Sequence, residues 1–284
     1  MPVSGPDVVS TLRALEQLPG VAEAVATARD ACTELRWHQA LRRRIPEAAA
    51  ESRVRGARAS AALDGAEIPV DAVRDLMRGA VAWPTDDDAV MQTLRSAVQA
   101  TAESEHVRPQ VGTSPAQALA RLHVAAGSPL LPADQVGRPR VAGEDSRELV
   151  ELGAAPESTE VAERLRGLAD LTGAMSAAPA LVVAAVVHGE IAVMRPFVRG
   201  NAVVARAFER AVLIESGLEP TGVVVPEVGH GKEGVAGYAG ALTAYASGSP
   251  EGVALWLTHC AQAVQHGAAE GMAIADAVLA GRLS

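Results

Sequence analysis

Aromatic side chains are scarce in this 284-residue chain: three tryptophans, two tyrosines and two phenylalanines make up 2% of it. The apolar content of 49% therefore rests on small aliphatic residues, chiefly alanine and valine. Burying these demands close backbone approach, which packed helices provide. Cysteine is nearly absent as well. Cys32 and Cys260 lie far apart and define no disulfide framework, so both are expected as buried thiols. Surplus positive charge is also missing: 25 lysines and arginines against 34 aspartates and glutamates leave a net charge of −9. That excludes a sequence-blind nucleic-acid binder, which works by displacing counterions. The longest apolar run, residues 177–187, spans 11 positions and includes Pro179, whereas a membrane-spanning helix needs about 20. The opening Met-Pro-Val-Ser-Gly-Pro has no basic segment followed by an apolar stretch. A cytoplasmic protein without membrane association is expected.

What is present is helical periodicity. Apolar residues three and four apart predict helices over residues 8–18, 21–44, 46–63, 70–80, 89–103 and 116–126. The pattern resumes over 159–175, 180–194, 202–216, 234–245 and 250–264, with the last helix continuing to about residue 279. The segment 180–194 is apolar on nearly every side and is expected as a central buried helix. Residues 127–155 carry most of the turn chemistry, and Val223, Val224 and Val225 read as a short strand or an extended loop. The fold class is mainly α, with at most a small β-hairpin. The chain divides into an N-terminal helical region, residues 1–80, and a core over residues 81–284.

Three constellations could carry chemistry. Gly229, Gly231 and Gly234 match G-x-G-x-x-G, the dinucleotide fingerprint of an NAD(P)-dependent oxidoreductase. No alternating strand–helix series surrounds them, and a glycine-rich loop between helices is the better reading. The histidines lack the three- or four-residue spacing of helical metal pairs: His259 and His266 are seven apart, and His188 precedes Glu190 by two. No metal site is expected on that ground. The third constellation runs from His188 to Arg206. Here a buried helix ends, Gly200 and Asn201 make a tight turn, and a new helix starts. A helix N-terminus beside Arg195, Arg199 and Arg206 makes an anion site, unless the three arginines are only solvated helix-end charges.

The third segment resembles the signature of the Fic (fido) family of protein adenylyltransferases, H-x-F-x-[DE]-G-N-G-R-x-x-R. Arg195, Pro196, Phe197, Arg199, Gly200, Asn201, Ala202, Val203 and Arg206 lie over it without a gap, and His188 stands seven residues before it. Upstream, Ser60, Asp64 and Gly65 resemble the family's inhibitory-helix motif, [ST]-x-x-x-E-[GN], on a helix over residues 47–64. Gly137 and Arg140 resemble the Gly-x-x-Arg element before its target-docking flap. The resemblance spans roughly residues 50 to 265. It implies a Fic-fold helical bundle with a small β-hairpin flap and additional N-terminal helices.

The resemblance also implies a chemistry that these residues depart from. The family's motif histidine takes a proton from a target hydroxyl, which attacks the α-phosphate of ATP. Arg195 stands there, and a guanidinium cannot accept a proton near neutral pH. Arg199 replaces the acidic residue that holds Mg²⁺, and Ala202 and Val203 replace the glycine and arginine at the nucleotide phosphates. The expectation is a pseudoenzyme without adenylyltransferase activity. It keeps a pocket lined by Arg195, Arg199, Gly200, Asn201 and Arg206 for a phosphate, a nucleotide such as ATP without Mg²⁺, or a protein partner. The alternative is an active AMP- or phospho-group transferase with diverged residues. Asp64 is expected to pair with Arg206 or Arg195.

Overall fold

The most apolar stretch of the sequence forms a helix, Ala180–Met194, that is buried over almost its whole length. The helix after the motif loop, Asn201–Glu215, is buried from Asn201 to Ile214. These two elements pack on each other at the centre of an all-helical fold. The computed structural model describes residues 7–85, 88–146 and 148–282, and no strand occurs among them. In chain order the helices are α1 (Val8–Glu16), α2 (Val21–Arg36), α3 (Ile45–Leu63), α4 (Val70–Met77), α5 (Ala89–Val107), α6 (Pro115–Gly127), α7 (Ser158–Gly173), α8 (Ala180–Met194), α9 (Asn201–Glu215), α10 (Pro226–His230), α11 (Gly234–Ala246) and α12 (Pro250–Leu279). None is long and apolar enough to cross a membrane.

Around the α8–α9 pair, α5, α6 and α3 contact α9, whereas α7, α11 and α12 contact α8. The 30-residue α12 runs along α2 and α10. Small residues let these helices approach closely. A Cβ on Gly229 would lie 2.0 Å from the Ala263 carbonyl oxygen, so the first glycine of the G-x-G-x-x-G match is there to seat α10 on α12. Without a sheet beside it, that glycine run is not a dinucleotide loop. Trp256 on α12 is fully buried and donates its indole N–H to the Ala185 carbonyl at 2.8 Å, tying α12 to α8. Cys32 and Cys260 are buried free thiols, as the sequence predicts, and burial pushes Cys32 up to about 12.

The hairpin and the length of the second helix differ from the sequence-based expectation. Of the two readings of the valine run 223–225 the loop is the one found: the run is buried and forms no strand, because Glu219 turns its carboxylate onto the backbone N–H groups of Val223 (3.0 Å) and Val224 (3.4 Å). Val225 N–H goes to the Gly267 carbonyl at 3.1 Å. The expected β-hairpin flap is likewise absent among the described residues. Between α6 and α7 the backbone polar groups are held by side chains, above all Arg138 and Arg140, rather than by a strand partner. The predicted helix over residues 21–44 stops at Arg36, and a 3-10 turn, Gln39–Arg42, follows with His38 capping it.

Candidate functional site

The motif loop joins α8 to α9. Arg195 ends α8 in a left-handed conformation, φ 43°, and its N–H caps the helix on Ile191 O at 3.0 Å. Its side chain is only 2% exposed and has no carboxylate partner among the described residues. Instead the guanidinium donates to the carbonyls of Gly153 (2.9 Å), Ala154 (2.8 Å), Glu148 and Leu149 (both 3.3 Å). Burial and the nearby Arg140 cation hold it below the usual arginine range. Arg140 works from the other side. Its N–H donates to Pro196 O at 2.7 Å, and its guanidinium reaches Arg195 O and Pro156 O, both at 2.8 Å. Two arginines thus fasten the segment 148–156 to the motif loop. Where an anion pocket was expected at Arg195, the hydrogen bonds of its side chain all go to backbone carbonyls.

Phe197 stacks flat on His123 of α6, with ring centroids 3.6 Å apart and planes within 7°. His123 bridges two loops, receiving Gly137 N–H on Nδ1 at 2.9 Å and meeting Arg199 O through Nε2 at 3.0 Å. Because Nδ1 is the acceptor, Nε2 must carry the proton and the ring is neutral. Burial pulls its pKa down to about 4. Asn201 closes the loop on itself: Oδ1 accepts Phe197 N–H at 2.8 Å and Nδ2 donates to Phe197 O at 2.9 Å. Gly200 adopts φ 85°, which turns the first amides of α9 outward.

Those amides form an anion nest at the positive end of a buried helix. It is filled from within. Glu148 accepts Gly200 N–H on Oε1 at 2.6 Å, and Asn201 N–H and Nδ2–H on Oε2 at 2.8 and 3.0 Å. Desolvation raises the Glu148 pKa, against the lowering effect of these donors.

The last motif arginine is also engaged. Arg206, 1% exposed, donates to Ser60 Oγ (2.9 Å), Ser60 O (3.1 Å) and Asp64 Oδ2 (2.7 Å), and lies over the Tyr238 ring at 5.7 Å. Asp64 therefore pairs with Arg206 and not with Arg195. Gly65 follows at φ 88°, ending α3. Of the three motif arginines only Arg199 is exposed. It lines two cavities that share Glu148, one of about 310 Å³ beside Asp64, Ala202, Val203 and Tyr238, the other of about 650 Å³ beside Glu144 and Asp145. An arginine-lined pocket is thus not what the fold presents: one arginine faces several carboxylates.

His188 is fully buried beneath this site. Its Nδ1 lies 2.8 Å from Glu209 Oε2, and its Nε2 lies 2.8 Å from Tyr238 Oη. His230 Nε2 meets the same Glu209 oxygen at 2.7 Å, while its Nδ1 lies 3.1 Å from His259 Nε2. Spacing along the chain missed this group because its members come from α8, α9 and α10. The legible signal was Glu209 beside Arg206 and Arg210 in an otherwise apolar α9, charges that a buried helix cannot leave unpaired. Glu148 was missed too. It stands in an acidic, aperiodic stretch where nothing marks one carboxylate above another. His266 is exposed and joins neither group.

The geometry defines an all-helical protein whose signature loop opens a central buried helix and is covered by the preceding segment. No family model matches the sequence, and no curated protein matches it. Solved structures do match. A Fic family protein from Desulfovibrio desulfuricans G20 superposes with a TM-score of 0.66 at 20% identity, over 90% of this chain and 74% of that one. A segment of Fic-1 from C. elegans gives 0.67 at 17% identity, over 89% and 72%. A Fic domain containing signaling protein from Bacteroides thetaiotaomicron gives 0.64 at 12% identity, over 89% and 98%. The chain has the Fic fold.

Proposed function

We propose that this chain is a Fic-fold protein that transfers no nucleotidyl group and whose motif pocket is held shut by its own carboxylates. The observation that carries this is Glu148 on the amides of Gly200 and Asn201, where an incoming phosphate has to bind. The base is missing as well. Arg195 occupies its place, committed to four carbonyls, and His188, the nearest motif-associated histidine, is spoken for by Glu209 and Tyr238. Losing a positioned base lowers a rate by about 10²–10⁴-fold. Arg199 puts a cation where the resemblance implies a metal-holding carboxylate, which removes a ligand and repels the metal.

In this reading Arg195 serves the plug rather than chemistry, since it anchors the segment from which Glu148 projects. An anionic ligand, phosphate or a nucleotide without Mg²⁺, enters only when Glu148 yields. Arg199, free at the rim of both cavities, is the cation that meets it. The test is incubation of the purified chain with α-labelled ATP, Mg²⁺ and cell lysate. No label should pass to protein. Robust transfer that Asn201→Ala abolishes would overturn the reading in favour of an active transferase.

A further inference from the structure

Glu209 sits in the interior with an uneven set of partners. Oε2 takes both His188 Nδ1 and His230 Nε2, while Oε1, equally inaccessible, has no hydrogen-bond partner. A carboxylate oxygen left bare in a dry interior is costly. We propose that His188, Glu209 and His230 form a binding site for a divalent transition-metal ion, zinc being the best fit, with both Glu209 oxygens ligating. This site uses none of the motif-loop residues, although Tyr238 borders both it and the smaller cavity.

Three observations converge on it. The ligand atoms all lie within 4.8 Å of one another, and the three residues are fully buried on three different helices. Zinc bonds of about 2.0–2.1 Å set donor atoms roughly 3.3 Å apart, so each ring has to withdraw about half an ångström from Glu209 Oε2 while the two ring nitrogens, within 4.8 Å of each other, settle at that spacing. The bare Oε1 supplies the fourth donor that two rings and one oxygen lack. The far nitrogen of each ring is already fixed, His188 Nε2 by Tyr238 and His230 Nδ1 by His259. Such partners orient metal-bound imidazoles and set their tautomer. With the ion in place, both far nitrogens become donors, to the Tyr238 oxygen and to His259 Nε2. Two imidazoles and a carboxylate favour zinc and its neighbours over magnesium or calcium, which take oxygen ligands.

The experiment uses the full chain. After purification without added metal and exhaustive dialysis, elemental analysis is expected to find about one zinc-type ion per chain. Because the site is closed in the native state, the chain is also unfolded with chelator and refolded with cobalt(II), which should give the visible absorption of a low-coordinate cobalt site. Glu209→Gln should cut bound metal by about tenfold or more, and Tyr238→Phe, which leaves all ligands in place, should weaken cobalt binding by about 10–100-fold. A wild-type chain that is folded, metal-free and gives no cobalt absorption after refolding would overturn the proposal and leave a hydrogen-bonded cluster. That result leaves the reading of the motif pocket untouched.

Discussion

Glu148 Oε1 lies 2.6 Å from the amide nitrogen of Gly200, so the positive end of α9 is capped by a carboxylate from the chain itself. The same segment is gripped from below by Arg195, through the carbonyls of residues 148, 149, 153 and 154. The two contacts form one device. Arg195 fastens the segment whose Glu148 occupies the first amides of α9.

Replacing Arg195 with histidine restores the signature's first letter but should not restore transfer, since Arg199 remains and no metal-holding carboxylate returns. The substitution leaves up to four part-buried carbonyl contacts unmade. It should cost about 1 kcal/mol, less than for fully buried acceptors, because water reaches part of these carbonyls. Backbone amides of residues 148–156 should exchange hydrogen much faster than in wild type, and those of α8 should change little. Unchanged exchange over 148–156 contradicts the anchoring role.

Asp64→Ala leaves the buried Arg206 cation with only Ser60 and the Tyr238 face. Removing one partner of a fully buried pair costs about 3–5 kcal/mol. Asp64 is 27% exposed, so water softens the loss and about 1–3 kcal/mol is expected. The double variant Asp64→Ala with Arg206→Met should recover part of it. Urea unfolding midpoints of the three variants check this; additive losses contradict direct pairing.

The helices, their order and the central burial of α8 were legible because apolar spacing carries them and because no residue of α8 is charged except Glu190. The Ser60–Asp64 element and the motif loop were legible as a pattern of residue types. Where the side chains point was not. Arg195, Arg199 and Arg206 look alike in sequence, yet one binds carbonyls, one faces solvent and one is latched to α3. The choice depends on what the segments 60–64 and 148–156 bring alongside. Val223 to Val225 read as a short strand or an extended loop because β-branched residues favour extended backbone; a strand needs a partner, and Glu219 supplied the acceptors first.

Acid should loosen the motif loop through His123. The ring is neutral in the fold, where burial pulls its pKa to about 4, against about 6.5 in the unfolded chain. The unfolded state therefore binds the extra proton first as pH falls. His123 contributes fully above about pH 6.5, and its contribution is lost towards pH 4, by up to about 3 kcal/mol. The stability gap between wild type and His123→Gln should narrow from pH 7.5 to 4.5. A gap that does not change with pH contradicts the neutral ring.

The plug itself is tested most directly by calorimetric titration of ADP and pyrophosphate, without Mg²⁺, into wild type and Glu148→Ala. Wild type should take up neither ligand at millimolar concentration, and the variant, its helix N-terminus vacated, should bind with at least about tenfold higher affinity. Equal binding by both proteins, or none by the variant while it remains folded, would contradict the claim that Glu148 occupies the phosphate site.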